Sequence, residues 1–335
     1  LGVAAWALKR KQQGMGLLSE CVLAIGIGFV TLAIPLALDV KWTGAAWALE
    51  GAGAFWVGSR QARWMPRAVG LALQVFGALV AFGTFGTTIS AVPFANNGFV
   101  GPLLIAVPLL LTAWWLREPS PHSGSRWALR WAPIEADMGK PWFLAGFGFA
   151  VMALWQEVTR MVPPATSEDY AEMVFSWPNQ VLLFMLGVLA LMALGNWFGR
   201  TRGWRVATWP GRLSLPLIAL AFAMVLVMGR EVLDLPDLIA WVVALGVHYR
   251  MLQLRVTARG GQHSKWDAAM HTGGVLLLTA MLADCLYMLI DRTKLWNTSW
   301  AGVVFLASAT AMLFGLTRWA GRAASGQTQG FGWPL

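Results

Sequence analysis

Two acidic residues lie inside apolar runs of the sequence that are long enough to cross a membrane. Glu50 lies in the run 43–59 and Asp284 in the run 270–290. A charged side chain in a membrane segment costs about 2.5–3.5 kcal/mol on insertion scales, so such residues are candidates for function. Each lies about seven residues from the same face, which at the helical rise places it roughly 10 Å below that face. We therefore expect both carboxyl groups at one depth.

Other polar and aromatic residues are expected near the same face of the membrane. Asp284, Tyr287 and Asp291 have helical spacing and would lie on one side of a helix. The candidate residues for a ligand pocket are Asp39, Trp42, Trp47, Glu50, Glu157, Arg160, Arg230, Glu231, Asp284, Tyr287 and Asp291. An outward-opening pocket walled by tryptophan would receive a polar headgroup or a saccharide while an acyl chain stays in lipid.

The charged members of this set also have a structural interpretation. Glu157–Arg160 and Arg230–Asp234 have the spacing of helical ion pairs, which would fix the ends of helices. The two membrane carboxyls each need a cation, a proton or water, because an unpaired charge at that depth is costly. The cations within vertical reach of them are Arg160, Arg230 and Arg292.

The remaining reactive residue types form no complete catalytic or metal motif. His248 is the one histidine expected inside the membrane region, where it is a weak candidate for acyltransferase chemistry and a better one for a hydrogen-bonded core histidine. Cys21 and Cys285 are too few for a cysteine metal site, and no phosphate-binding Lys-Ser/Thr follows the glycine-rich segments. The sequence predicts no metal and no cofactor, and it leaves catalytic residues unknown.

The composition indicates which elements hold these residues. Of 335 residues, 57% are apolar and 12% charged, which nearly excludes a soluble globular enzyme. Ten apolar runs are found, at 17–38, 43–59, 68–90, 98–116, 141–158, 180–198, 213–229, 236–254, 270–290 and 298–317. They lack strand alternation, and helices satisfy their own backbone groups in lipid. The predicted fold is all-α, a polytopic transmembrane helical bundle with about ten membrane-spanning helices.

The distribution of basic residues predicts the orientation of the helices. Of the 25 Lys and Arg, 20 fall on one set of alternating loops and the chain ends. Basic loops stay in the cytoplasm, so both ends are expected there, and the opposite face is acidic. The net charge of +9 is then explained by anionic lipid headgroups rather than by nucleic acid. The expected partners are membrane lipids, a lipid-linked or saccharide ligand and other membrane proteins.

The same reasoning predicts the domain organisation. Residues 1–16 resemble the end of a preceding helix with a basic cytoplasmic linker, which suggests a piece of a larger protein. Residues 17–318 are the transmembrane domain, and 319–335 form a cytoplasmic polar tail or linker. The loop 159–179 is a connector or an interfacial helix, and the basic-aromatic stretch 126–131 is expected to anchor in the lipid interface. The 21 tryptophans suit an aromatic belt, and those on the outer face could also stack on sugars.

One stretch of the chain carries a family resemblance. It contains Ile34-Pro35-Leu36-Ala37-Leu38-Asp39, then Trp42-Thr43, then Trp47-Ala48-Leu49-Glu50-Gly51 and Arg60. This stretch resembles the domain-of-unknown-function 2339 family of predicted bacterial multi-pass membrane proteins. The resemblance implies tandem membrane helices in the bacterial inner membrane, and it brings no catalytic residues.

Three classes of function are compatible with the sequence. The first is binding or transport of an envelope lipid or saccharide precursor through the outward-facing pocket. The second is a structural or assembly subunit of a membrane complex, since a basic inner rim and belt tryptophans need no ligand. The third is an outer-leaflet hydrolase or transferase that uses Glu50 or Asp284 as acid or base.

Overall fold

The computed structural model of the chain describes residues 26, 40–83, 92–118, 125–162, 170–230, 232–233, 237–258 and 264–324. Over these ranges the regular structure is helical and contains no strand, which confirms the all-α prediction. The α-helices are α1 (Val40–Arg60), α2 (Trp64–Gly83), α3 (Asn97–Trp115), α4 (Arg126–Asp137), α5 (Gly139–Met161), α6 (Tyr170–Thr201), α7 (Ser214–Val227), α8 (Asp237–Thr257), α9 (Lys265–Arg292) and α10 (Trp300–Ala324). Short 3₁₀ helices occupy Arg205–Thr208, Pro210–Leu213 and Leu295–Asn297.

The helices coincide with the apolar runs of the sequence. Nine of the ten predicted runs match an α-helix, and the run 17–38 lies outside the described residues apart from Gly26. Five helical stretches are long and apolar enough to cross a membrane: Trp64–Gly83, Asn97–Trp115, Ser176–Thr201, Arg205–Val227 and Lys265–Arg292. The chain is therefore a helical membrane protein with several apolar helices, and the full set of ten spans stays a prediction.

Two helices extend beyond the bounds expected from the sequence. α6 begins at Tyr170, so the last part of the predicted outer connector continues into the membrane helix. The helix passes through Pro178. At the C-terminus α10 reaches Ala324, past the predicted end of the membrane domain at residue 318.

The chain forms two compact units, residues 1–160 and 161–335. In the first unit, α1 and α2 form a hairpin whose helices meet at glycines spaced seven residues apart. A Cβ atom added to Gly44 would lie 2.6 Å from the Gly77 carbonyl oxygen, and one added to Gly51 would lie 2.5 Å from the Gly70 oxygen. Small residues let helix backbones approach closely in membranes. The close contact of α1 with α2 therefore requires residues without a side chain at these positions.

A buried glutamine joins three helices of the first unit. Gln74 of α2 donates through Nε2 to Thr112 Oγ1 of α3 at 2.7 Å, and Trp142 Nε1 of α5 donates to Gln74 Oε1 at 2.5 Å. All three side chains are buried. Interhelical hydrogen bonds of this kind stabilise helix packing where no water can replace them.

The short helix α4 is attached to α2 by charge and by aromatic contact. Arg67 Nε lies 3.3 Å from Glu135 Oε2, and both side chains are almost fully buried. The rings of Trp64 and Trp131 lie 6.4 Å apart. Trp127, one turn before Trp131 on α4, is exposed. This helix contains the predicted interfacial stretch, and its exposed tryptophan suits lipid anchoring.

Candidate functional site

Glu157 holds the turn that precedes α3 by hydrogen bonds. Its Oε1 accepts a hydrogen bond from the Phe94 backbone N at 3.2 Å, and its Oε2 accepts one from Asn96 Nδ2 at 2.9 Å. Asn96 in turn caps α3, since its Oδ1 accepts from Phe99 N at 2.9 Å. Arg160 Nη2 lies 2.6 Å from Glu157 Oε1. The pair Glu157–Arg160 thus has the structural role that its spacing allowed, because it fixes a turn to the end of α5.

Arg230 forms a comparable ion pair in the second unit. Its Nε lies 3.2 Å from Asp237 Oδ2 of α8, and its Nη1 donates to Asn179 Oδ1 of α6 at 2.7 Å. Asp237 is fully buried, whereas the Arg230 side chain is 18% exposed. The partner suggested by the sequence, Asp234, lies outside the described residues, as does Glu231. Arg230 therefore joins the start of α8 to α6, and its side chain stays partly exposed.

Asp284 lies beside the same connection between α7 and α8. Its Oδ2 accepts a hydrogen bond from the Val232 backbone N at 3.3 Å, and the side chain is half-buried. The carboxyl of α9 is thereby joined to the turn between α7 and α8. Arg230 lies at the start of this connection and Asp284 contacts it through Val232, and a pocket that contains both stays a prediction.

An exposed aromatic pair follows Asp284 in the chain, with Tyr287 on α9 and Trp296 in the 3₁₀ helix Leu295–Asn297. Tyr287 and Trp296 have ring centroids 5.2 Å apart at a tilt of 52°. Tyr287 is 58% exposed and Trp296 48% exposed. Asp291, one turn beyond Tyr287, is also exposed. Flat apolar rings beside carboxylates suit the mixed polar and apolar faces of a sugar.

The predicted residues of the first helix are only partly described. Trp42, Trp47 and Glu50 are half-buried on α1, and Asp39 lies outside the described residues. Glu50 belongs to the first compact unit and Asp284 to the second. A cavity shared by these two carboxyls stays a prediction. Arg160 and Arg230, expected as their cations, form their ion pairs with Glu157 and Asp237.

His248 contacts a serine that the sequence analysis did not single out. Ser214 Oγ lies 2.8 Å from His248 Nδ1 and also donates to the Gly211 carbonyl oxygen at 2.9 Å. Both side chains are fully buried, and the ring of Tyr249 packs against His248 at 5.4 Å. A serine and a histidine without access for a substrate form a core contact between α7 and α8. This geometry supports the core-histidine interpretation over acyltransferase chemistry.

The sequence analysis also missed the acidic partners that the structure reveals. Glu135 lies 3.3 Å from Arg67 of another helix, and Asp237 lies 3.2 Å from Arg230 across the turn between α7 and α8. Neither pair has the i, i+3 or i, i+4 spacing of an ion pair within one helix. Among the described residues, no group of three or more His, Cys, Asp or Glu side chains is arranged to hold a metal ion.

Comparison with known proteins gives the family of the chain. No curated protein and no solved structure matches it. The sequence model of a family described as "Predicted membrane protein (DUF2339)" matches residues 1–333. The resemblance found in the sequence rested on residues 34–60, whereas this match extends over nearly the whole chain. Together with the apolar helices, it shows that the chain belongs to the DUF2339 family of predicted membrane proteins.

Proposed function

We propose that this protein lies in the bacterial inner membrane with ten membrane-spanning helices and both ends in the cytoplasm. We further propose that it binds or transports an envelope lipid or saccharide precursor at the outer face. The observation that carries the proposal is the exposed Tyr287–Trp296 pair, in which Tyr287 lies one turn after Asp284 on α9 and Trp296 lies in the 3₁₀ helix that follows. Aromatic rings would contact sugar rings, and the carboxylate would accept hydrogen bonds from their hydroxyl groups.

Arg230 supports the same proposal from the neighbouring helices. Its contacts with Asp237 and Asn179 use Nε and Nη1, and within the described part of the chain Nη2 forms no hydrogen bond. A guanidinium held in one orientation is preorganised for phosphate, which it binds through parallel N–H groups. A precursor that carries both a phosphate and a sugar would therefore meet complementary groups around this connection.

The binding experiment compares matched variants of the full chain in lipid nanodiscs. Trp296→Ala is expected to weaken binding of a lipid-linked saccharide about tenfold, because an aromatic contact contributes up to about 1.5 kcal/mol. Asp284→Asn is expected to weaken it to a similar extent. The controls are Trp127→Ala and Asp137→Asn on α4, both exposed and both in the first compact unit. Native mass spectrometry at increasing ligand concentration measures the affinities, and equal affinity of Trp296→Ala and its control would contradict the proposal.

A role as a structural or assembly subunit is the second candidate function. It is favoured by the ion pairs Glu157–Arg160 and Arg230–Asp237, which neutralise outer charges within the chain. A protein whose outer arginines serve only its own helices needs no ligand at that face. If the Trp296 and Asp284 variants both bind the saccharide ligand like wild type, this function replaces the first.

The proposed topology has its own test. Single cysteines at Asn97, Ser167 and Gln262 are introduced into a variant in which Cys21 and Cys285 are replaced by serine. The first two positions are expected to react with an impermeant maleimide in intact cells, and Gln262 only after permeabilisation. Labelling of the cysteine at position 262 from outside would contradict the proposed orientation of the helices around it.

A further inference from the structure

A groove lies between α6 and α8 near the C-terminal ends of both helices. Its volume is about 640 Å³, and its polar wall consists of Asn196, Arg200, Thr201 and Arg250. Trp197 and aliphatic residues of the two helices complete the lining. The groove is thus charged at one end of the helices and apolar along the rest of its length. It contains none of the residues proposed to bind a ligand at the outer face.

The two arginines give the groove an unbalanced positive charge. Neither Arg200 nor Arg250 forms an ion pair with a carboxylate in the part of the chain that the structure describes. Arg250 Nη1 donates to the neutral Gln253 Oε1 at 3.1 Å. Two guanidinium groups that line one groove without acidic partners form a site for an anion, and arginine suits phosphate because of its planar set of donors.

Asn196 adds a polar group that the folded chain leaves unused. The residue is only 3% exposed and lines the groove. Its side chain forms no hydrogen bond with another described residue. Because Asn196 lines the groove, its amide is available to a carbonyl or hydroxyl group of a ligand there.

The deeper part of the groove is shaped for an apolar chain. Gly246 lines it, and a Cβ atom added there would meet nothing within 4 Å. Ala193 lies on the facing helix seven residues before Arg200, which corresponds to roughly 10 Å along the helix. The small residues Ala193 and Gly246 thus leave open space along the groove. An acyl chain would occupy this space when its headgroup lies at the two arginines.

We propose that this groove is a binding site for an anionic phospholipid. The phosphate lies between Arg200 and Arg250, Asn196 contacts the glycerol or ester region, and one acyl chain follows the wall at Gly246. Basic pockets between membrane helices on the cytoplasmic side bind anionic headgroups in this way. In the topology proposed above, which rests on the basic loops, this end of α6 and α8 lies in the inner leaflet. The site is separate from the outer-face ligand and does not depend on it.

The site is tested with the full chain in nanodiscs that contain a photoactivatable phosphatidylglycerol or phosphatidylcholine. After irradiation, mass spectrometry quantifies labelled peptides from residues 193–201 and 246–254. Phosphatidylglycerol is expected to label these peptides at least about fivefold more than phosphatidylcholine. Each of Arg200→Gln and Arg250→Gln is expected to lower the labelling about fivefold, the effect of one basic residue near an anionic surface. Arg205→Gln, an exposed arginine outside the groove, is the control and should change little.

A second pair of variants tests the shape of the groove without changing its charge. Gly246→Leu should fill the apolar wall and reduce phosphatidylglycerol labelling at least about fivefold, while the melting temperature stays near wild type because the space is open. Gly302→Leu, at an equally open glycine of α10, should leave the labelling unchanged. Equal labelling by the two lipids, or no effect of Gly246→Leu, would overturn the proposal. Competition by millimolar inorganic phosphate would also overturn it, because the ligand would then be a soluble anion.

Discussion

Glu135→Gln is expected to lower the free energy of unfolding by about 3–5 kcal/mol, the cost of leaving one member of a buried ion pair without its counter-charge. Arg67 is fully buried, and Glu135 is the carboxylate found next to it in the described part of the chain, at 3.3 Å. The Arg67 Nη1 and Nη2 atoms form no hydrogen bond with another described residue. The guanidinium therefore depends on this one charge, and removal of the charge leaves it in a dry contact between α2 and α4.

The measurement is thermal unfolding in detergent micelles, followed by circular dichroism. Glu118→Gln is the matched control, since it removes the same charge from the exposed pair Arg117–Glu118, whose atoms lie 2.7 Å apart. An exposed pair contributes only about 0.2–1 kcal/mol. The double variant Arg67→Met, Glu135→Leu should regain most of the stability, because it removes both charges from the contact. A Glu135→Gln protein as stable as the control would show that solvent reaches Arg67.

The positions of the helices could be predicted because lipid restricts the backbone. The run 98–116 predicts α3, observed at Asn97–Trp115, and the run 236–254 predicts α8, observed at Asp237–Thr257. An apolar stretch of this length must satisfy its peptide groups internally, and only a helix does so within one segment. The sequence therefore determines where the helices lie without any knowledge of their neighbours.

The partners of the charged residues could not be predicted in the same way. Helical spacing suggested Asp234 for Arg230, but α7 ends at Val227 and Gly229 has a positive φ of 70°. Arg230 therefore follows a turn, and its side chain reaches Asp237 at the start of α8. Spacing rules apply only inside one helix, whereas this contact depends on how the chain turns between two helices.

Arg67 shows a second limit of the sequence analysis. The sequence predicts Arg67 as a basic residue of a loop, whereas the structure places it in α2 with its side chain fully buried. A Cβ atom at Gly58 would lie 2.7 Å from Arg67 Cγ, so the absence of a side chain at Gly58 leaves the space that the arginine stem occupies. The covering helix α4 contributes Glu135 from about seventy residues away in the sequence. No local sequence pattern predicts such a contact, because it arises when two separate helices pack together.

Gly51→Ala is expected to destabilise the protein by about 3 kcal/mol, the upper part of the range for overpacking. The added Cβ atom would lie 2.5 Å from the Gly70 carbonyl oxygen and 2.8 Å from Gln74 Cγ. A backbone oxygen cannot rotate away as a side chain does, so α1 and α2 must separate. Separation would also weaken the contact of Gly44 with Gly77 and the hydrogen bonds of Gln74, which join α2 to the rest of the first unit.

Gly53→Ala on the same helix provides the matched control. It makes the same chemical change two residues away, where an added Cβ atom meets nothing within 4 Å. Alanine should stabilise the helix there by up to about 1 kcal/mol, because it restricts the unfolded backbone more than glycine. The two variants should therefore differ by about 3–4 kcal/mol in thermal unfolding, although each adds one methyl group to α1. Equal stability would mean that α1 and α2 can separate at no cost, and the glycine contact would then not hold the hairpin together.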